Sequence, residues 1–440
     1  MNTSQQKREP DSLSILIIGI NFAPEIISTG VYTTGMAQFL ARRGHKIGVV
    51  TAHPYYPEWR VRVGWPRLRY VKSVVDQDDK NLRVTHCPIY VPSHPTGLRR
   101  IVHHISFALT SLPPAIAAAL SRARPDAVIV IAPSLISALT GLLTARVSGA
   151  KTWLHIQDFE VEAALATGLL KPGKRLGRLA IAFERFVLKR FDRVSTISAP
   201  MLAKLIQKGV ARDRLRELRN WADLDLVSPG PVDAQMRAML GIETPHVALY
   251  SGNIANKQGL EILQAAARFL SHRDDITILI CGDGPMLGAL REACKDLPRV
   301  KFAPLQPRER LGVLLRSADL HLLPQIAGAA DLVLPSKLKN MLASGRPIIA
   351  TAKPGTALSD EIGGAGVVTL PGDAAALALA ICELIDDPAR RLAMGQKGDE
   401  LARTRWSPDA ILAELEGQLN DLVALAPSQL RDAALVREAK

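Results

Sequence analysis

Short runs of apolar residues alternate with longer amphipathic stretches along most of the chain. The runs are mostly uninterrupted β-branched residues and leucines, which indicates strands buried on both faces of a parallel sheet. The predicted strands are 14–20, 46–51, 83–90, 127–131, 152–156, 193–197, 246–250, 277–281, 300–303, 320–323, 347–350 and 366–370. The predicted helices are 31–43, 135–147, 176–191, 199–207, 259–270, 285–295, 308–316, 336–343 and 374–385. This alternation predicts an α/β fold.

The alternation restarts near residue 246, after a stretch punctuated by Pro229, Gly230 and Pro231. A chain of 440 residues is also long for a single core. We therefore predict two Rossmann-like, doubly wound domains that face a cleft, in which ligands bind at the carboxyl ends of the strands. The predicted boundaries are 12–222 for the first domain, 223–405 for the second, 406–425 for a C-terminal crossover helix and 426–440 for a loose tail.

The composition, 48% apolar and 22% charged, is that of a globular protein. The formal net charge of +13 predicts an anionic partner, such as a phosphate-bearing substrate or an anionic membrane. Nucleic acid is disfavoured because aromatic residues make up only 5% of the chain and no nucleic-acid-reading motif occurs. The four cysteines have no paired spacing, so we predict reduced thiols and no metal site.

Two features of the first half could bind a ligand. Gly30 opens a helix whose free amides could meet a sugar or phosphate, although a loop glycine without a ligand explains it equally well, and no GxGxxG fingerprint is present. His155 and Asp158 lie at the end of the strand 152–156, where polar side chains of α/β folds point into the cleft. Either could hydrogen-bond a sugar hydroxyl or accept its proton; alternatively, Asp158 caps the next helix.

The second half offers two glycine turns after predicted strands. Gly252 and Asn253 follow the strand 246–250, and the amides of the next helix, with Lys257, suit a diphosphate. Gly282 and Gly284 follow the next strand and permit close approach of a ligand, although a tight turn alone accounts for them as well.

The strongest signal is the segment 335–347. Pro335 and Ser336 are predicted to start a helix that Gly345 ends. The Ser336 hydroxyl, the Lys337 ammonium and free backbone amides converge where a phosphate would fit, and Asn340 lies one turn later, within reach of ribose or sugar hydroxyls. An amphipathic helix by itself does not account for this cluster of polar residues at its start.

These motifs together resemble the retaining glycosyltransferases of the GT-B-fold family 4, in particular the colanic-acid type of exopolysaccharide transferase. The resemblance covers nearly the whole chain. The segments that carry it are the loop 23–30, the GHK at 44–46, the SGN and KQG within 251–259, the GDGP at 282–285 and the PSKLKNMLASGRPII at 335–349.

In that family the second domain holds a nucleoside-diphosphate sugar and the first holds the acceptor. The resemblance implies that Gly252 belongs to the donor phosphate loop and that Gly282 and Gly284 belong to the turn beside the nucleotide. Gly30 matches the glycine loop of the acceptor domain, and 335–337 match a variant found in bacterial polysaccharide transferases.

The chain departs from the family at the donor charges. Many members have an arginine after the loop glycine and a lysine five residues later, where this chain has Asn253 and Gln258. Lys257 and Lys337 are therefore the candidates that meet the phosphate charge.

A second departure concerns the two spaced glutamates of the family. They fall near Leu332 and on Asn340, so neither is kept, and Asp331 is the candidate substitute for the contact with the donor hexose.

The resemblance implies transfer with retention of configuration, without a metal and without a cofactor other than the donor substrate, a GDP- or UDP-linked sugar. Helix amides, Ser336 and lysine charge would stabilise the leaving diphosphate. Asp158 or His155 would orient the acceptor, a polyprenyl-diphosphate-linked saccharide, or the sugar.

Two other functions fit the same architecture. A sugar-nucleotide epimerase shares the two-domain plan, and the missing glutamates are compatible with a non-catalytic donor-binding subunit of a polysaccharide assembly complex.

Two segments predict a peripheral location at the cytoplasmic face of the plasma membrane. Basic residues at 98–104 precede the apolar run 105–120, and 171–175 lead into the basic amphipathic stretch 176–190. Such segments lie on anionic bilayers, although solvated or buried helix faces have the same pattern. The run 105–120 is too short to span a membrane and contains Pro113 and Pro114.

Overall fold

The computed structural model describes residues 12–25, 29–73, 80–94, 96–166, 173–326 and 334–438. They divide into two compact units. Unit 1 comprises Met1–Ile197, Leu202–Arg219 and Leu412–Lys440, and unit 2 comprises Ser198–Met201 and Asn220–Ile411.

Unit 1 is built on an eight-stranded sheet of order β3-β4-β2-β1-β5-β6-β7-β8. The strands are β1 Ser14–Gly19, β2 Lys46–Ala52, β3 Val71–Ser73, β4 Leu82–Cys87, β5 Ala127–Ala132, β6 Lys151–Ile156, β7 Arg193–Thr196 and β8 Leu215–Glu217. Neighbouring strands are parallel except for the pair of β3 with β4. All six residues of β5 are buried, which is why this strand reads as an unbroken apolar run.

The helices that follow these strands are α1 Thr29–Arg42, α2 Gly97–Ala119, α3 Ala138–Ser148, α4 Glu160–Ala166, α5 Arg175–Leu188 and α6 Ala199–Gln207. By length and composition, α2 is the one helix within the described ranges that passes as a candidate membrane span, and 22% of its most apolar window is buried. It continues through Pro113 and Pro114, so it is longer than the predicted apolar run.

Unit 2 contains a six-stranded parallel sheet of order β11-β10-β9-β12-β13-β14. The strands are β9 His246–Ser251, β10 Ile276–Cys281, β11 Val300–Ala303, β12 Leu320–Leu323, β13 Ile348–Thr351 and β14 Gly366–Thr369. The helices are α7 Ala234–Met239, α8 Glu261–Phe269, α9 Leu287–Ala293, α10 Leu311–Arg316, α11 Leu338–Ala343, α12 Ala357–Ile362, α13 Ala374–Asp386 and α14 Pro388–Arg405. The last helix, α15 Pro408–Glu438, begins in unit 2 and belongs to unit 1 from Leu412 onward. Two apolar clusters pack on this sheet.

Side-chain caps define where several helices of unit 2 begin. Asp233, Asp373 and Asp387 each accept a hydrogen bond from the backbone amide three residues later, at the starts of α7, α13 and α14. Each cap satisfies one of the amides that a helix start leaves without a partner. The Asp387-Pro388 pair is a start signal that the hydrophobic pattern alone overlooks.

The structure differs from the predicted elements mainly where elements are short or polar. The three-residue strands β3 and β8 and the helices α7, α12 and α14 were not predicted, and the long helix α2 was predicted only as an apolar run. In the region predicted to be a loose tail, 426–440, α15 extends to Glu438. The residues after Pro427 are mostly good helix formers such as alanine, leucine, arginine and glutamate, which accounts for the extension.

Candidate active site

Each sheet has one point where the strand order reverses, and such a point opens a crevice at the carboxyl ends of two strands. In unit 2 it lies between β9 and β12, and in unit 1 between β1 and β5. The loops that follow these strands contain most of the polar and glycine residues singled out from the sequence.

The glycine turns after β9 and β10 touch each other through their backbones. The Gly252 amide donates to the Cys281 carbonyl at 2.9 Å, which extends the ladder between the two strands. A Cβ added to Gly282 would overlap the carbonyl oxygen of Gly252, so only glycine fits there. Gly284 has a φ of 154° and is likewise closed to a side chain by the carbonyl of Ile254. The tight packing of these turns leaves bare backbone at the crevice.

We expect Gly282→Ala to destabilise unit 2 by about 1–3 kcal/mol, because the new methyl group must displace the backbone of Gly252. Gly288→Ala is the matched control, since a Cβ on this residue of α9 meets no atom within 4 Å. In the control the change should be neutral or stabilising by up to about 1 kcal/mol. Urea unfolding of both variants measures the difference, and equal midpoints would contradict the backbone contact.

Lys337 lies directly beside Gly252. Its Nζ is 2.7 Å from the position that a Cβ on Gly252 would occupy. Gly252 has a φ of 138°, a conformation that side chains rarely adopt. The glycine therefore leaves room for the lysine side chain, and the ammonium group lies at the crevice beside β9.

Tyr250 holds this ammonium group in place. Lys337 Nζ donates to the Tyr250 hydroxyl at 2.6 Å and lies 4.0 Å from the ring centroid. The hydroxyl in turn donates to the carbonyl of Asn253 at 2.6 Å. Burial raises the pKa of Tyr250, so the hydroxyl stays neutral and serves as donor and acceptor at once. The sequence gives no sign of this role, since Tyr250 reads as an ordinary aromatic residue of a buried strand.

The segment before α11 differs in detail from the prediction. Pro335 and Ser336 form the turn that precedes the helix, which begins at Leu338 and not at Ser336. Ser336 is exposed, and the Pro335 carbonyl accepts from the Leu338 amide at 3.0 Å. The Oδ1 atom of Asn340 accepts from the backbone amide of Asp223 at 2.9 Å, so this oxygen holds the segment that enters unit 2 and does not point to a ligand.

The remaining predicted donor residues fall on the same loops. Asn253 is exposed, and its Oδ1 lies 2.7 Å from where a Cβ on Gly284 would be. The backbone of Lys257 belongs to the short 3-10 turn Asn256–Gln258, and its side chain lies outside the described part of the structure. Asp331 and Leu332 also lie outside the described residues.

In unit 1, Asp158 lies two residues beyond the end of β6 and is exposed. It lines a small depression together with Ala132, Leu135, Ile156, Phe159, Glu160, Glu184 and Leu188. The depression is lined by apolar residues and by the carboxylates of Asp158, Glu160 and Glu184. Of these three, Asp158 is the exposed one and can meet an incoming molecule.

Glu160 shapes the wall of this depression. Its two carboxylate oxygens accept from the backbone amides of Ser134 and Leu135 at 2.7 and 2.6 Å. Ser134 has a φ of 88°, a strained conformation for a residue with a side chain, and the paired hydrogen bonds stabilise it. Glu160 therefore joins the end of β5 to the start of α4.

An ion-pair cluster fixes α4 from the other side. Glu162 accepts from Lys204 at 2.5 Å and lies 3.2 Å from Lys208, which also contacts the buried Glu184 at 2.6 Å. The Lys208 ammonium lies 5.2 Å from the Phe159 ring centroid. These contacts hold the segment that carries Asp158 in one position.

The prediction for His155 is not supported by its position. The side chain is 1% exposed, because His155 is the penultimate residue of β6 and lies within the sheet. Its Nδ1 lies 2.9 Å from the Ser195 hydroxyl of β7, and its Nε2 lies 2.9 Å from Gln157 Nε2. Burial lowers the pKa of His155 to about 3, so the ring is neutral at physiological pH. This geometry gives His155 a structural position behind Gln157 and Asp158.

Gly30 lies in the first turn of α1 and is buried. The loop before it is organised by the buried Glu25, whose Oε1 accepts from the amides of Tyr55 and Tyr56 at 2.8 and 2.9 Å. Asn21 donates to the other oxygen at 2.8 Å. The loop after β1 is thereby tied to the loop after β2.

Within the described ranges, no group of three or more His, Cys, Asp and Glu side chains could hold a metal ion. The candidate residues described above present ammonium, carboxylate, hydroxyl and backbone groups.

Two family models match the chain, one in each half. The model for a glycosyl transferase 4-like domain matches residues 29–221, and the model for glycosyl transferases group 1 matches residues 245–387. The chain belongs to the family 4 glycosyltransferases.

A curated relative agrees with this membership of the glycosyltransferase family. The chain is 41% identical over 355 residues to the Escherichia coli K12 protein provisionally named colanic acid biosynthesis glycosyl transferase WcaI, covering 79% of this chain and 85% of the relative.

Solved structures show that this glycosyltransferase has the GT-B fold. Sucrose-phosphate synthase from Thermosynechococcus elongatus superposes with a TM-score of 0.68 at 19% identity, covering 94% of this chain and all of that one. HepE from Anabaena, solved in complex with UDP-glucose, superposes with a TM-score of 0.63 at 16% identity, covering 93% of this chain and all of that one.

Proposed function

We propose that this glycosyltransferase moves a sugar from a GDP- or UDP-linked donor to a lipid-linked saccharide, with retention of configuration and without a metal, in exopolysaccharide biosynthesis. The observation that carries the proposal is the packing of Lys337 against Gly252 at the crevice of unit 2. Support for the pathway comes from the name of the E. coli relative, and support for the donor class comes from the HepE complex with UDP-glucose.

The donor diphosphate would lie against the backbone of Gly252, Gly282 and Gly284. Lys337 supplies the positive charge that the family arginine would bring, because Asn253 replaces that arginine. Charge and amides fixed before the reaction stabilise the negative charge that develops on the leaving diphosphate. Ser336, exposed in the adjoining turn, would add a hydroxyl donor. Pro335 precedes Ser336 in that turn. Lys257 is a second candidate for the positive charge that neutralises the diphosphate.

The acceptor would lie in unit 1, with Asp158 as the group that orients its hydroxyl. Asp158 is exposed on a segment held by Glu160 and by the ion pairs of Glu162, so the carboxylate is positioned before the acceptor arrives. A leaving-group oxygen of the donor can take the acceptor proton. His155 would act indirectly, by supporting Gln157 beside Asp158, and Gly30 would border the acceptor loop.

A transfer assay tests the reaction. Labelled UDP- and GDP-sugars are incubated with a polyprenyl-diphosphate-linked saccharide in the presence of EDTA, and the anomeric configuration of the product is read by NMR. Transfer with retention is expected. Inversion or a strict requirement for a divalent metal would contradict the mechanism; isomerisation without acceptor would favour an epimerase, and donor binding without transfer would favour a non-catalytic subunit.

We expect Asp158→Asn to lower kcat about 100-fold or more while donor binding is retained, because a neutral amide accepts the hydrogen bond of the acceptor hydroxyl more weakly than a carboxylate and so orients it less well. The matched control is Asp213→Asn, an exposed carboxylate of the same unit. Steady-state kinetics with the donor and acceptor varied in turn separate the two effects. A kcat for Asp158→Asn equal to that of the control would remove Asp158 from the site.

We also propose a peripheral location at the cytoplasmic face of the plasma membrane, where a polyprenyl acceptor would be met. On α5, Leu176 and Leu179 are exposed at 55% and 66%, with Arg175 and Arg178 exposed beside them, which is the pattern of an interfacial helix. Lys171, the first basic residue of the predicted segment 171–175, lies outside the described part of the chain.

A further inference from the structure

A loop of unit 1, residues 53–70, carries an unusual surface that the donor and acceptor sites do not use. We call it the basic loop. Residues 53–70 contain four arginines and a single acidic residue, Glu58. Val63 and Leu68 are each 88% exposed, although both are bulky aliphatic residues. Arg60, Arg62 and the other two arginines are exposed beside them.

Two tryptophans anchor the basic loop, so its exposed residues are held in place. Trp65 packs on His86 of β4 with ring centroids 4.6 Å apart. Trp59 packs on His103 of α2 at 5.4 Å and receives the Arg100 guanidinium over its ring at 5.7 Å. The anchored rings face the protein, and Val63 and Leu68 are left in solvent.

The loop is also tied to the middle of α2. Pro114 has no amide hydrogen, so the Thr110 carbonyl lacks its usual helical donor. The Tyr70 hydroxyl donates to this carbonyl at 2.9 Å. The basic loop and α2 therefore form one continuous surface.

The outer face of α2 is apolar. Leu98, Val102, Ile105 and Leu109 recur every three or four residues and are 74%, 44%, 40% and 65% exposed. The opposite face, which includes Phe107, is buried. We call the four exposed residues the α2 stripe.

A neighbouring helix extends this apolar surface. Thr140 of α3 donates to the Ala108 carbonyl of α2 at 3.0 Å, and α3 adds the exposed Leu143 and Val147. The basic loop and α3 thus both contact α2, through Tyr70 and Thr140 respectively.

The charge around this surface indicates which kind of partner it binds. Between residues 81 and 125 the sequence has five arginines and no acidic residue. Arg99, Arg122 and Arg124 are exposed within that stretch. An apolar surface with exposed arginines beside it and Glu58 as the one exposed carboxylate of the basic loop matches an anionic bilayer, in which arginines meet lipid phosphates and aliphatic side chains enter the headgroup boundary. A second copy of the same face would instead bring like charges together.

We propose that the basic loop and the α2 stripe form the surface by which this enzyme docks on an anionic lipid bilayer, with Val63 and Leu68 inserted below the phosphates. The proposal deepens the membrane partner stated under Proposed function and rests on it. The docking surface proposed here consists of α2 and the loop after β2, whereas the membrane location under Proposed function is supported by α5.

Cosedimentation of the full chain with vesicles tests the docking surface. The vesicles contain phosphatidylglycerol and phosphatidylcholine in equal amounts, with phosphatidylcholine alone for comparison. Binding to the anionic vesicles at low salt is expected, and weaker binding as salt is raised. The double variant Val63→Asp with Leu68→Asp should partition at least about tenfold less, because two aliphatic contacts are replaced by charges that anionic lipids repel.

A second pair, Leu98→Asp with Leu109→Asp on the α2 stripe, should have the same effect. The matched control is Leu379→Asp with Leu392→Asp, two leucines of unit 2 that are 60% and 63% exposed. The control should bind vesicles like the unaltered protein. Unchanged binding of both test variants, or an equal loss in the control, would overturn the proposal, as would a dimer of the unaltered protein that the loop variant dissociates.

Two further readouts separate this inference from the proposed reaction. Thermal unfolding shows whether each variant is folded, and the rise in melting temperature with UDP- or GDP-sugar shows whether its donor site is intact. Vesicle binding that fails while the donor shift persists overturns the docking surface alone. Vesicle binding that persists in a protein without donor shift or transfer leaves the docking surface standing and contradicts the proposed function.

Discussion

Lys337→Ala is expected to lower kcat/KM for the nucleotide sugar by about 100- to 1,000-fold, the usual effect of removing one fixed electrostatic donor from an active site. The reason is local. Lys337 is the described ammonium group packed against the glycine turn after β9, and the arginine that many family members carry there is Asn253. Without Lys337 the charge on the leaving diphosphate would be met mainly by backbone amides.

Tyr250→Phe should produce a smaller loss, about 3- to 10-fold in kcat/KM, because the ring stays beneath the ammonium while the hydrogen bond that orients it is lost. Lys295→Ala is the matched control. This lysine is 71% exposed and follows α9, away from the carboxyl ends of the strands. The graded order Lys337→Ala, Tyr250→Phe, Lys295→Ala is the signature of a positioned charge.

Steady-state kinetics with the donor varied, together with the donor-induced rise in melting temperature, measure the series. Equal kinetics for Lys337→Ala and Lys295→Ala would show that the diphosphate is held elsewhere. If Tyr250→Phe lost all activity while Lys337→Ala kept a normal kcat/KM, the tyrosine itself would be the group that touches the donor.

The positions of the two glycine turns could be predicted from the sequence because their signals are local. Glycines directly after strands 246–250 and 277–281 mark the carboxyl edge of the sheet, and parallel pairing of two successive strands brings those turns together. The inward direction of the neighbouring Lys339 side chain could not be predicted in this way. Lys337 precedes α11 and reaches Tyr250, whereas Lys339 turns inward, is 4% exposed, and burial lowers its pKa to about 7.

His155 shows why the candidate residues of unit 1 were harder to predict. A polar residue near the end of a strand can point to the crevice or lie between the sheet and its helices, and a shift of one residue decides which. His155 pairs in register with Ser195 of β7, a partner 40 residues away that no local pattern reveals. Asp158 lies beyond the strand, where the backbone has left the sheet, and is exposed.

Acid is expected to destabilise the protein strongly between pH 6.5 and about pH 4. Burial lowers the pKa of His86 and His103 to about 4, and that of His155 and His321 to about 3. These rings are neutral in the folded protein and take up protons when it unfolds, from an unfolded pKa near 6.5. Their stabilising contribution is therefore complete above pH 6.5 and is lost as the pH falls toward the folded values.

The size of the effect follows from the shifts. At pH 5 each of the four rings lowers the free energy of unfolding by about 2 kcal/mol relative to neutral pH. The sum over the four rings approaches the whole stability of an ordinary domain. Two buried carboxylates act in the opposite direction. Burial raises the pKa of Glu25 and Glu184 in the folded state, so these groups favour folding as the pH falls. A comparison of single variants is needed to isolate the histidines.

His321→Gln isolates one of them. His321 is 0% exposed and lies 2.8 Å from the Ser344 hydroxyl through Nε2, a contact that a glutamine amide can replace. Urea unfolding at pH 7.5, 6 and 5 should show a fall in stability that is about 2 kcal/mol smaller for the variant than for the unaltered protein. The control, His272→Gln, changes an exposed ring and should leave the pH dependence of the free energy of unfolding as it is in the unaltered protein. If the free energy of unfolding fell equally with pH in the variant and in the unaltered protein, His321 would already be protonated in the folded state. A charged imidazole enclosed by apolar strands carries a large desolvation cost, so we do not expect this result.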